Sequence, residues 1–190
     1  MQKTKRILSV LLIIALSLCL GIGIHFFWNV IDEQTHPIRY EKIVEKYAEE
    51  YDVPEIVIFS VIKVESKFDA NAISSVGAIG LMQMMPATFD WLTGDEHLGE
   101  HLSSLLLTDP EVNIRYGTYY LRYLYLKFEN WDTVFAAYNG GEGNVAKWLT
   151  DPEYSENGIL TYIPFEETRN YVTKVNDAIA VYEKLYVKES

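Results

Sequence analysis

From Ile7 to Phe27 the chain carries no Asp, Glu, Lys or Arg. About twenty apolar residues suffice to cross a bilayer as a helix. A run this long beside a basic N-terminus has no natural place inside a soluble core. Lys3, Lys5 and Arg6 precede it, with no acid among them. That flank is expected to stay cytoplasmic and to send the C-terminal bulk outside. Phe26, Phe27 and Trp28 suit the far interface. A cleaved signal peptide has a shorter apolar core and a small-x-small site, and no A-x-A closes this run. A lipoprotein signal would need a small residue before Cys19, where Leu18 stands. The expectation is an uncleaved anchor over residues 1–28, giving a single-pass cell-membrane protein with an extracytoplasmic functional domain.

Beyond the anchor, residues 29–39 (NVIDEQTHPIR) read as a linker, with Pro37 among polar neighbours. The remainder, 40–190, reads as one mainly α domain. Ile43, Val44, Tyr47 and Tyr51 recur at helical spacing. A second helix is expected from about Pro54 to Ser66, and a loop over 67–85 leads to a short helix opening at Pro86. Another helix follows Asp109-Pro110 and carries Tyr116, Tyr119, Tyr120 and Tyr123, most of them core and one or two placed to stack on sugars. Asp132 is the expected cap of a helix through Tyr138 that the Gly140–Gly143 stretch breaks. The last helix is expected over 166–186. No segment shows sustained strand alternation.

The composition is 49% hydrophobic and 14% aromatic, enough for a sizeable core. The formal charge is −11, and the chain beyond the basic flank is more acidic still. A nucleic-acid partner would need a basic footprint, so none is expected. Cys19 is the single cysteine, which excludes a disulfide framework and a cysteine-based zinc site. His97 and His101 stand four apart with no third ligand nearby. No metal and no cofactor is implied.

The most informative polar residue is Glu65, in VIKVESKFDANAISSVGAIGLMQMMP (61–86). Ile58, Val61 and Ile62 lie seven, four and three positions before it, on the same helical face. A carboxylate on a core-facing stripe tends to have a raised pKa. A carboxylic acid still protonated near neutral pH is what general acid catalysis requires. A helix-end cap or a partner for a nearby Lys is the other reading of the same residue.

The run E-S-K-F-D-A-N-A-I-S-S-V-G-A-I-G-L-M-Q-M-M-P resembles the signature of family-23 lytic transglycosylases, the SLT domain of soluble lytic murein transglycosylases. Three further stretches resemble that family in the expected order: DPEVNIRYGTYYL (109–121), AAYNGGEGNV (136–145) and IPFEETRNYVTKV (163–175). The resemblance implies a lysozyme-like helical fold. It also implies cleavage of the β-1,4 bond between N-acetylmuramic acid and N-acetylglucosamine in peptidoglycan, leaving 1,6-anhydromuramoyl ends. The family's acid/base falls on Glu65. Its signature serine falls on Ser74, or on Ser75 if the register shifts by one. Its substrate-contacting residues fall on Gln83, Met85, Tyr138, Asn139 and Glu167. Two departures, Ala72 for the usual proline and Gly140 for the usual alanine, leave every proposed chemical group in place.

Ordinary glycosidases use two carboxylates. Here Asp69 is the only acid within a dozen residues after Glu65, on a loop expected to be exposed. A lytic transglycosylase manages with one carboxylate because the sugar's own C6 hydroxyl is the nucleophile, and that tether supplies proximity. Gln83 can donate and accept, as sugar hydroxyls require. Ser74, Gly77 and Gly80 equally suit a plain turn, Met85 and Tyr138 a core, and Glu167 a helix start. The expected partners are peptidoglycan strands and the membrane, with room for proteins of an envelope machine. A goose-type muramidase and a non-catalytic glycan-binding scaffold are the competing readings.

Overall fold

The computed structural model describes residues 2–187; Met1 and 188–190, the outer ends of the expected anchor and domain, lie outside the described residues. Helix α1, Gln2–Thr35, has 34 residues. At 1.5 Å per residue it is about 50 Å long, more than the roughly 30 Å hydrocarbon layer. The stretch Leu11–Thr35 is apolar enough to cross a membrane, and the rest of the chain buries none of its most hydrophobic window.

The linker is shorter than the sequence suggests. Residues 29–35 continue α1, and only 36–40 are non-helical. Thr35 Oγ1 donates to Ile31 O at 2.8 Å. Asp32 pairs with Lys184 at 2.9 Å. These contacts hold a polar stretch helical where composition alone reads as coil. Pro37 then ends the run, because the residue before a proline is driven out of the helical region.

The domain comprises α2 (Glu41–Tyr51), α3 (Glu55–Ser66), α4 (Pro86–Thr93), a 3₁₀ turn (Ser104–Thr108), α5 (Pro110–Phe128), α6 (Trp131–Gly140), α7 (Glu142–Leu149), and α8 (Glu166–Tyr186). A two-stranded antiparallel hairpin, β1 (Ser155–Glu156) and β2 (Ile159–Leu160), precedes α8, with Ser155 opposite Leu160. Helix α3 packs against α8, α2 against α5, and α6 against both α5 and α8.

Ile58, Val61 and Ile62 are fully buried, so the stripe read from the sequence does face the core. Burial of each such side chain is worth about 1.5–3 kcal/mol. Tyr116 and Phe89 are also fully buried and meet edge to face, centroids 4.6 Å apart.

Asp109 caps α5, accepting from the N–H of Glu111 and Val112, with Pro110 in the first turn. Asp132 is not the cap of α6. Asn130 is, accepting from Thr133 N at 3.0 Å; Asp132 instead accepts from Asn176 on α8 at 2.7 Å. The start is moved back by Trp131, which stacks on Phe135 and so belongs inside the helix. The glycine stretch ends α6 only to start α7: Gly141 has φ 88, a conformation that reverses the chain within one residue. Val145 and Trp148, three apart, are buried beneath α7.

Candidate active site

Glu65 occupies the last turn of α3. The next two residues, Lys67 (φ 53) and Phe68 (φ 68), are left-handed without being glycine. That conformation costs of order 1–3 kcal/mol per residue and persists only where packing holds it. Here the hold is Phe68, 3% exposed and tilted against Phe59. The sharp turn ends the helix just beyond Glu65 and sends residues 69–85 back as a loop.

That loop is clamped from behind by Asn113 of α5. Its Oδ1 accepts from Met82 N at 2.7 Å. Its Nδ2 donates to Ile79 O at 2.9 Å and Leu107 O at 2.8 Å. The side chain is fully buried with its polar atoms satisfied, the condition under which burying an amide is tolerable. Gly80 (φ +82) lies against this clamp, and a Cβ there would collide with Asn113 Nδ2 and Leu107 O. Its role is therefore close approach to Asn113.

The Glu65 side chain is mostly buried, and burial pushes its pKa from the usual 4.5 up to about 7. The Tyr171 hydroxyl opposes that rise. No neighbouring carboxylate contributes. Tyr138 of α6 and Tyr171 of α8 both feel the Glu65 charge, and burial holds both phenols well above the usual value. The Tyr138 hydroxyl donates to Met82 O at 2.8 Å, with Met84 Sδ 3.4 Å away. With its proton committed, its lone pairs remain available. The Tyr171 hydroxyl is buried and makes no full hydrogen bond, yet it lies close enough to the Glu65 carboxyl to lower its pKa, leaving a donor beside the carboxyl. Tyr120 of α5 tilts against Tyr138, centroids 5.4 Å apart.

The other sequence-derived candidates fall at varied distances from this centre. Ser74 Oγ accepts from Ala78 N at 2.9 Å, so it closes its own turn; Ser75 is exposed. Gln83, left-handed at φ 48, donates to Ala72 O and Gly80 O at 3.1 and 2.9 Å. Both of its donor hydrogens hold the loop, and its oxygen remains to accept. Met85 is 40% exposed just before α4, while Met84 is the buried methionine beside Tyr138. Asn139 and Glu167 are exposed, and Glu167 forms no ion pair among the described residues. Asp69 is exposed and accepts from Asn71 N. His97 packs edge-on to Trp91 at 4.1 Å, whereas His101 pairs with Asp95 at 2.8 Å.

Asn113 and Tyr171 were not singled out from the sequence, although both lie in the stretches quoted above. The available signal was a polar residue on an otherwise apolar helical face.

Residues 42–158 match the transglycosylase SLT domain family. The chain belongs to that family. It is 35% identical over 152 residues to the soluble lytic murein transglycosylase of Escherichia coli K12, covering 78% of this chain and 23% of that one. It is 32% identical over 193 residues to membrane-bound lytic murein transglycosylase C of Pectobacterium atrosepticum, covering 85% of this chain and 53% of the relative. Among solved structures, the 70 kDa soluble lytic transglycosylase of E. coli superposes with TM-score 0.74 at 32% identity, over 83% of this chain and 26% of that one. An inactive Glu-to-Gln mutant of the lytic transglycosylase Slt of Pseudomonas aeruginosa gives 0.69 at 33% identity, over 81% and 25%. The SLT member described here thus spans from 23% to 53% of these relatives' own length, and its fold is the mainly α, lysozyme-like one.

Proposed function

We propose that this SLT domain is a membrane-anchored peptidoglycan lytic transglycosylase acting from the extracytoplasmic face. The observation that carries the reading is a desolvated carboxyl, Glu65, attended by two buried tyrosines, with no carboxylate among the described residues contributing to its raised pKa. Two-carboxylate glycosidases need a partner acid within about 5–9.5 Å to serve as nucleophile or to activate water. Relatives named as lytic murein transglycosylases, one kind of them membrane-bound, support the substrate class and the anchoring.

In this mechanism protonated Glu65 gives its proton to the glycosidic oxygen as the C1–O bond breaks. The 2-acetamido oxygen of the muramoyl residue bonds to C1 in its place. The Glu65 carboxylate then takes the proton of the C6 hydroxyl. The C6 oxygen bonds to C1, the acetamido oxygen leaves, and a 1,6-anhydro ring closes. Glu65 ends protonated, and no water is consumed. A pKa pushed up to about 7 suits both halves of this cycle near neutral pH. The Tyr171 hydroxyl is placed to steady the carboxylate between the halves. Tyr138 accepts from the carboxyl or from the substrate amide. Ser74, Gln83, Met85, Asn139 and Glu167 are proposed to shape and line the glycan groove, Gln83 through its free oxygen.

The test is mass spectrometry of products from purified peptidoglycan. Anhydromuropeptides, about 18 Da (one water) lighter than the hydrolysed ends, are expected to dominate. A digest dominated by reducing ends would replace this reading with a muramidase.

A further inference from the structure

Away from Glu65, a cavity of about 460 Å³ opens between the end of α1, the C-terminal half of α3 and the middle of α8. Its lining includes His36, Lys63, Lys67 and Lys174, with Asp177 the single acid and the remainder apolar. Three lysines around one cavity are unexpected in a chain of net charge −11. Elsewhere Lys46, Arg115, Arg122, Lys127 and Lys184 each hold a carboxylate, while Arg39, Lys42, Lys147 and Arg169 stand singly and do not converge on one cavity. Lys63, Lys67 and Lys174 form no ion pair among the described residues. Burial lowers the pKa of Lys63, and Lys67 lowers it further by repulsion. Burial likewise lowers that of His36, with Lys63 adding to the effect against Asp32. The negative end of α3 would welcome Lys63 and Lys67. It does not account for Lys174, in the middle of α8, or for His36.

The position of the cavity narrows what it can take. His36 directly follows α1, whose uncharged stretch extends to Ile31. At 1.5 Å per residue the step from Ile31 to His36 is roughly 8 Å, about the depth of the headgroup layer. The cavity is fixed there by three contacts between the two helix ends: Lys184 with Asp32, Tyr186 Oη donating to His36 O at 2.8 Å, and Tyr182 Oη donating to Pro37 O at 3.1 Å.

We propose that this cavity binds the headgroup of an anionic phospholipid of the leaflet in which α1 ends. The lysines meet the phosphate, and the apolar lining meets the glycerol end. An acidic domain is repelled by an anionic membrane surface; the occupied cavity sets its orientation there and so the height of the Glu65 groove above the bilayer. The proposal rests on α1 being a membrane anchor but not on the reaction at Glu65.

The experiment is native mass spectrometry of the full 190-residue chain in a neutral detergent, titrated with phosphatidylglycerol or phosphatidylcholine. The expected result is a first phosphatidylglycerol adduct that survives activation where phosphatidylcholine is lost. Lys67→Gln should weaken it roughly five-fold, the effect of one lysine near an anionic surface. Lys63→Gln, Lys67→Gln and Lys174→Gln combined should abolish the preference, while Lys147→Gln on α7 leaves it intact. Equal retention of the two lipids, or a preference that survives the triple substitution, would overturn the proposal. So would displacement of the lipid by millimolar inorganic phosphate where chloride of equal ionic strength has no effect, since the occupant would then be a soluble anion. Removing like charges does not threaten the fold, and the single variant reads out independently. Wild type washed from membranes by salt would defeat the anchor and the proposal together. Wild type that stays in membranes but shows no lipid preference defeats the proposal alone.

Discussion

Replacing Glu65 with Gln tests the desolvation argument through stability, without recourse to activity. The carboxyl has a pKa of about 7 in the folded protein against the usual 4.5. Each pH unit of that gap is about 1.4 kcal/mol, so the ionised side chain costs the folded state about 3 kcal/mol. The sign follows from linkage. Between pH 4.5 and 7 the folded chain holds a proton that the unfolded chain has released. Stability from this group is therefore full below about pH 4.5, falls as pH rises to about 7, and is flat above. Gln is nearly isosteric and neutral throughout, so the variant has no such loss.

The assay is thermal melting of the detergent-solubilised chain, wild type and Glu65→Gln side by side, from pH 4.5 to 8. A kcal/mol corresponds to about 2–4 °C for a domain of this size. The variant should melt close to wild type at pH 4.5 and roughly 6–12 °C above it at pH 8. Contributions of all other titrating groups cancel in the difference. A gap that is constant with pH, or that narrows as pH rises, would refute the claim that burial dominates the Glu65 environment. The same variant should lose at least 10²–10⁴-fold in clearing of purified sacculi, so that stability and turnover move in opposite directions.

What the sequence conveyed about this site depended on the range of the interactions involved. The Glu65 stripe was legible because helical periodicity is local, and Ile58, Val61 and Ile62 are indeed buried. The span of α8 and the Pro86 start of α4 were legible for the same reason. The Asn113 clamp was not, because its acceptors on Ile79 and Leu107 reach it only through tertiary folding. Two of the site's properties depend on that clamp: the path of the 69–85 loop and the need for glycine at position 80. Gln83 was read as a substrate contact from the family resemblance, a role its donor and acceptor capacity suits, and the structure shows both its donors holding the loop. Inventory alone does not show where capacity is spent. Helix α7 was hidden by the glycines before it, since Gly141 reverses the chain in one residue instead of opening a long loop. Asn130 and Asp132 are both good caps, and only the packing of Trp131 on Phe135 decides between them.

Four further outcomes are expected. The chain should sediment with membranes at high salt and leave them only in detergent; a soluble form with a new N-terminus between residues 20 and 40 would show cleavage instead. Asn113→Ala strands two backbone carbonyls and one N–H, each costing about 1–3 kcal/mol when buried, so melting should fall steeply; a variant within a few degrees of wild type would show that the loop is held otherwise. Tyr138→Phe leaves Met82 O without its donor and should cost about 1–3 kcal/mol together with most turnover, read by melting and sacculus clearing. Tyr171→Phe should behave differently, because the buried Tyr171 hydroxyl makes no full hydrogen bond and its polar neighbour is the Glu65 carboxyl, so its removal strands no backbone group. Melting of this variant should therefore hold. The hydroxyl also lowers the Glu65 pKa against the larger effect of burial, so without it that pKa moves further above 7. The alkaline limb of the pH–rate profile should then shift upward while the fold is intact. An alkaline limb that stays in place or moves to lower pH, in a variant that melts like wild type, would separate Tyr171 from the Glu65 carboxyl.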